Sequence, residues 1–128
     1  MCRLALLVLV ATLVAGCTSQ GGHRGDDLAA YVAAQKRAAE RLTGEGRLVE
    51  ALARWQSLLP VTDDDPEIIA AMAALNERID TRVGDYRRSA SEARQGGDLK
   101  AAATWYQRVL ALRPGDEQAL AELRAIQS

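Results

Sequence analysis

The chain has no phenylalanine, one histidine, two cysteines and three prolines in 128 residues. Three tyrosines and two tryptophans are its only large rings, so a core has to be built mainly from Leu, Ala, Val and Ile. Alanine is the best helix former, and the β-branched and aromatic residues that favour strands are sparse; an all-α protein is expected. Neither sign of charge is in excess, with 16 basic against 17 acidic side chains and a net charge of −1. Nucleic acid is therefore not an expected partner, because neutralising phosphates needs a basic surplus. At this length there is room for one small domain.

Both cysteines stand close to the start of the chain. Met1-Cys2-Arg3 is a short basic opening, and Leu4 to Val14 is an apolar run broken only by Thr12. As a helix this run would rise about 16 Å, roughly half of a hydrocarbon core, which suits a signal peptide and not a membrane span. It ends in Val14-Ala15-Gly16-Cys17, and this resembles the lipobox of bacterial lipoprotein precursors. The resemblance implies that residues 1–16 are removed and that Cys17 carries a diacylglycerol on its thiol and an acyl chain on its new amino group. That covalent lipid on Cys17 is the only non-protein group expected; no cofactor and no metal is. Two or three acyl chains anchor a protein stably without spanning the membrane. Thr18 stands where, in similar Gram-negative lipoproteins, an aspartate would retain the protein in the inner membrane, which implies the periplasmic face of the outer membrane. Residues 17–25 read as the lipidated cysteine and a polar, glycine-rich tether that contains His23, leaving residues 26–128 as the folded domain.

Within that domain one pattern occurs twice. Gly46, Leu48, Ala51, Trp55, Leu58 and Leu59 reappear as Gly97, Leu99, Ala102, Tyr106, Val109 and Leu110, with Ala39 and Leu42 matched by Ala90 and Ala93. The spacing is 97 − 46 = 51 residues throughout. Each copy reads as helix, glycine turn, helix, because glycine accepts the left-handed conformation that ends a helix. On the second helix of each copy the apolar residues share one face, Leu48 through Leu59 and Leu99 through Leu110. The small Ala51 and Ala102 allow close approach, and Trp55 and Tyr106 fill the space one turn later.

This arrangement resembles the tetratricopeptide repeat, a helical hairpin of about 34 residues. Val83–Asp116 is the closer match and Val32–Asp65 the more degenerate one, with Gln35 where an aromatic is usual. A spacing of 51 leaves 17 residues more than tandem repeats need, Pro66 to Arg82. They follow Asp63-Asp64-Asp65, where an aspartate cap before a first-turn proline predicts a helix start. A calcium loop there would need a glutamate near Ala74. Apolar positions then run by threes and fours from Ile68 through Met72, Leu75, Ile79, Val83, Tyr86 and Ala90 to Ala93, predicting one bridging helix over Pro66–Gln95 with Gly84 as its weak point. At about 45 Å it exceeds the dimensions of a compact domain of this size, so the domain is elongated or the helix is covered by a partner or by a second copy in a homodimer. A C-terminal capping helix, Asp116 to Gln127, completes five; the others are expected over Asp27–Thr43, Arg47–Leu59 and Asp98–Leu112.

The folded part has neither His nor Cys, which removes the usual triads, thiol nucleophiles and zinc sites; no enzyme activity is expected. Binding is what remains. In tetratricopeptide proteins the first helix of each hairpin lines a groove for an extended peptide or partner helix. By that resemblance the groove presents Lys36, Glu40 and Thr43, and Arg87, Ser91, Arg94 and Gln95. Arg87 and Arg94 lie two turns apart on one face, placed to receive an acidic segment. The expectation is a lipid-anchored adaptor or assembly factor that binds another envelope protein, the alternative a self-associating subunit paired through the long helix.

Overall fold

The computed structural model describes residues 20–128, with side chains from Arg24 onward. The signal segment, Cys17 and the side chain of His23 lie outside the described residues. Five α-helices follow one another, α1 Gln20–Gly44, α2 Leu48–Gln56, α3 Pro66–Gln95, α4 Leu99–Leu112 and α5 Glu117–Gln127, and there is no strand among the described residues. None of these helices is long and apolar enough to cross a membrane.

Local chemistry sets the boundaries. Asp65, Asp98 and Asp116 each accept a backbone N–H at 2.9 Å, from Glu67, Ala101 and Ala119, and so cap α3, α4 and α5. Both tight turns use the same C-terminal device. At the first, the Arg47 N–H donates to the Leu42 carbonyl and the Gly46 N–H to that of Thr43; at the second, Asp98 donates to Ala93 and Gly97 to Arg94. Gly46 and Gly97 take φ of 77° and 80°, a region that costs a side-chain-bearing residue but not glycine. Asp63 and Asp64 also have positive φ, which aspartate tolerates better than most, so the acidic run is a turn and a cap.

Two boundaries differ from expectation. Helix α2 stops at Gln56, and Leu59–Val61 form a 3-10 turn; Pro60 has no N–H for the Gln56 carbonyl and its ring would clash with that carbonyl in a continued α-helix. Helix α1 starts at Gln20, so Gln20–Gly25 are helical where a tether was expected.

Helix α3 is continuous through Gly84. It is covered by the chain itself. Its first half packs on α2, placing Leu75 beside Trp55; its second half packs on α4, which runs back along it until Arg113 pairs with Asp80. Ile68, Leu75, Ile79, Val83 and Ala90 are all buried. The apolar stripe expected to need a partner or a two-fold mate is therefore spent on the chain's own helices, and α3 is shared between two helical pairs. The rest of the core is Ala39, Leu42, Leu48, Ala51, Trp55, Leu58, Ala102, Tyr106, Val109 and Ala119. Leu99 is the exception to the expected buried face, being 48% exposed.

Positions 51 apart occupy matching surroundings well beyond the stretch that repeats in sequence. Ala39 and Ala90, Ala51 and Ala102, Leu58 and Val109, and Ile68 and Ala119 are each 0% exposed, and Trp55 and Tyr106 each 4%. Asp65 and Asp116 both cap a helix, and each also receives a basic side chain from the helix two before it, Lys36 and Arg87. The first half of α3 thus plays the part that α5 plays later.

Candidate functional site

Between α1 and α3, with α2 as its floor, lies a concavity of about 310 Å³ lined by Glu40, Thr43, Trp55, Glu67, Ala71, Ala74, Leu75 and Arg78. Its base is apolar and its rim charged. Thr43 turns its hydroxyl back to the Ala39 carbonyl at 2.8 Å, which leaves the methyl group to the cavity wall. Lys36 closes one end, donating to Asp65 at 2.8 Å and to Glu67. Glu40 and Arg78 make no ion pair among the described residues, so opposite charges remain on the rim.

The seven residues expected to share a groove fall into two places. Glu40 and Thr43 line the concavity and Lys36 stands at its edge. Arg87, Ser91, Arg94 and Gln95 lie on the second half of α3: Arg87 pairs with Asp116, the cap of α5, Arg94 pairs with Glu122 of α5, and the Gln95 amide donates to the Ser91 hydroxyl at 3.2 Å. The two arginines do receive acidic groups, but those of the chain's own capping helix. They are not available to a partner segment while α5 is docked.

The reason the first concavity is open and its counterpart closed can be read from two positions. Thr43 and Ala71 in the first half correspond to Arg94 and Glu122 in the second. Short side chains leave a space there; the long ion pair spans it. The signal that locates Asp65 and Asp116 as acceptors for Lys36 and Arg87 was present in the sequence as the same spacing of 51, although a cap aspartate gives no sign of the cation it will meet. A further pair obeys it. Gln35 accepts from Arg54 at 3.0 Å, whereas the corresponding Tyr86 and Trp105 pack with ring centroids 5.6 Å apart, and the Arg108 guanidinium sits 4.3 Å over the Trp105 ring.

A larger depression of about 710 Å³ lies where α2, α3 and the α4–α5 turn meet, but two of its charged groups, Arg87 and Asp116, are paired with each other and Arg113 with Asp80. Among the described residues no three His, Cys, Asp or Glu side chains gather as a metal set.

The Lys36–Asp65 contact shifts both partners. The hydrogen bond to Asp65, then that to Glu67, raises the Lys36 ammonium above its ordinary range. The bond from Lys36, then that from the Glu67 N–H, holds the Asp65 carboxyl below its own. Stability contributed by Asp65 is present above the usual aspartate value of about 3.9 and lost as pH falls through the lowered folded value. That from Lys36 is present below about 10.4 and lost as pH rises through the raised one. The contribution of this pair to the melting temperature should be flat between about pH 5 and 9. Asp65→Asn, which keeps a capping oxygen, should lower that plateau slightly and reduce the acid-side fall, as thermal melts followed by circular dichroism would register. A pair that water still reaches contributes little, so a large plateau drop would mean the cap itself had been lost.

No family model, curated protein or solved structure matches this chain.

Proposed function

We propose that this protein is a lipid-anchored, non-enzymatic adaptor of the cell envelope, built on two tetratricopeptide-like hairpins, that holds a segment of another envelope protein in the α1–α3 concavity. The lipobox-like Val14-Ala15-Gly16-Cys17 supplies the anchor, and Thr18 directs it to the periplasmic face of the outer membrane. The hairpin reading draws on the matched turns at Gly46 and Gly97 and on the matched burial of the alanine and aromatic pairs.

The observation that carries the reading is the open, apolar-floored concavity at the one place where the second half of the chain is filled by an ion pair. Its chemistry describes the occupant. Trp55, Ala71, Ala74 and Leu75 accept an apolar side chain, and Glu40 beside them favours a neighbouring lysine or arginine. A helix or extended segment with a leucine or aromatic anchor followed by a basic residue satisfies both.

A photo-crosslinking residue placed at Ala74, in membranes that contain the lipidated chain, should capture one envelope protein that the same group at Lys100 does not. The purified pair should then bind, and Ala74→Trp, which fills the concavity from an exposed position, should weaken binding at least about tenfold. Cys17→Ser should release the chain from the membrane and abolish capture there. Equal capture from Ala74 and Lys100, or binding indifferent to Ala74→Trp, would remove the groove from the proposal.

A further inference from the structure

The 51-residue correspondence in burial also breaks at the glycine turns, and this break has two matching sides. Leu48 is 1% exposed, whereas Leu99 is 48% exposed. The turn before each differs likewise. Arg82 donates to the Gly46 carbonyl at 3.2 Å, and its guanidinium lies 3.6 Å from where a side chain on Gly46 would begin; at Gly97 nothing comes within 4 Å. The cover over the first turn is the middle of α3, where Ile79 and Val83 flank Arg82 and are themselves buried.

In register 51 residues earlier, Ile79, Arg82 and Val83 become Leu28, Tyr31 and Val32 of α1. Leu28 and Tyr31 are 45% and 48% exposed, two of the few large apolar side chains that face solvent. Helix α1 therefore carries a counterpart of the surface that closes the first turn, with Leu28 and Tyr31 uncovered and Val32 partly buried beside them, and the second turn lacks that closure.

We infer that the protein associates head to tail with a second copy of itself, α1 of one copy lying over the Gly97 turn of the next. Leu28 and Val32 cover Leu99, and the Tyr31 hydroxyl donates to the Gly97 carbonyl in the role that Arg82 plays at Gly46. The contact repeats the α3 junction between chains instead of within one. It joins two different surfaces, so each added copy presents a fresh site and the assembly is open, unlike a two-fold dimer. Residues Gln20–Gly25 correspond to Glu122–Gln127 of α5 and have to leave the line of α1 when copies stack. Three of those six are glycine, the ordinary residue that holds a helix least. None of the contact residues lines the α1–α3 concavity, so this association stands apart from the adaptor reading.

Sedimentation velocity of the purified full chain in mild detergent tests it. The mean number of chains per particle should rise with protein concentration without settling at two. Leu28→Glu and Leu99→Glu, both at exposed positions, should each keep the particle at one chain up to at least about tenfold higher concentration with unchanged helicity by circular dichroism. Mixed together, the two variants should form a one-to-one pair and stop, because each retains the surface the other has lost. A mixture that stays at one chain, either variant assembling alone, or a wild-type particle that remains at one or halts at two would overturn the inference. Should a glutamate variant lose helicity, Leu28→Ser and Leu99→Ser carry the same test.

Discussion

Trp55→Ala is expected to destabilise the fold by about 3–5 kcal/mol, the cost of removing a fully packed aromatic and leaving a cavity. For a domain of about 100 residues this lowers the melting temperature by more than about 12 °C. The side chain is 4% exposed, packs beside the fully buried Ala51, and reaches Leu75 across the α2–α3 interface. Nothing nearby can collapse into its place, since Ala71 and Ala74 are small and the concavity above them is already open. The loss should also be local. Contacts run chiefly between sequential helices, α1 with α2, α2 with α3, α3 with α4 and α4 with α5, so stability is carried by neighbour interfaces as in other stacked helical arrays. Hydrogen exchange should show protection falling in α1, α2 and the first half of α3 ahead of α4 and α5. A melting temperature within about 4 °C of wild type, the equivalent of less than about 1 kcal/mol, would mean that Trp55 is not the plug between these helices.

Arg87→Glu should detach α5. Asp116 is 8% exposed and spends one carboxylate oxygen on the Ala119 N–H and the other on Arg87. A second carboxylate at position 87 removes the partner of a buried charge and adds repulsion. Breaking a buried pair costs about 3–5 kcal/mol; with the Arg87 side chain 36% exposed, solvent screening reduces this to about 2–3 kcal/mol. Denaturant unfolding should record that loss, and the amides of α5 should lose protection before those of α4. Asp116→Asn, which keeps an oxygen for the cap, should cost about 1 kcal/mol, near the value of one hydrogen bond. Arg88→Glu, at an exposed pair with Asp85 on the same helix, should stay within about 0.5 kcal/mol. If Arg87→Glu left α5 protection unchanged, the cap and the apolar contacts of Ala119 would be holding the helix without the ion pair.

Much of the fold was legible in order. The run of apolar positions from Ile68 to Ala93 marked a single 30-residue helix, and α3 spans Pro66–Gln95 as that spacing requires. Periodicity of this kind reports burial directly, because a residue out of phase would face water. Asp116 and Gly97 were readable for the same reason, each answering a need of the local backbone. What could not be read was company. Arg87 and Arg94 looked like a site for an acidic partner, and their spacing was correct, but the acidic partners proved to be Asp116 and Glu122 of the same chain. Charge and face identify what a side chain can bind; they carry no information on which of several carboxylates reaches it first. Glu40 and Thr43 were placed on a groove wall, whereas Trp55 was read only as a core residue and Ala71 and Ala74 were given no part in a groove. Their second role depends on the gap between α1 and α3, which is set by α2.

The scarcity of aromatic residues and the alanine-rich pattern determined by themselves the five helices of the described residues, with glycine turns at Gly46 and Gly97 and an aspartate cap before Pro66. Those features follow from φ/ψ preferences and from backbone groups needing partners within a few residues. Only the tertiary structure decided that α3 is divided between two helical pairs, that the second groove is filled by Arg94 and Glu122 while the first stays open, and that Leu99 lacks the cover given to Leu48. Each of these turns on which distant surface arrives at a given face. That is a matter of how whole helices stack, and two positions with the same residue in the same local pattern, such as Leu48 and Leu99, can receive opposite answers.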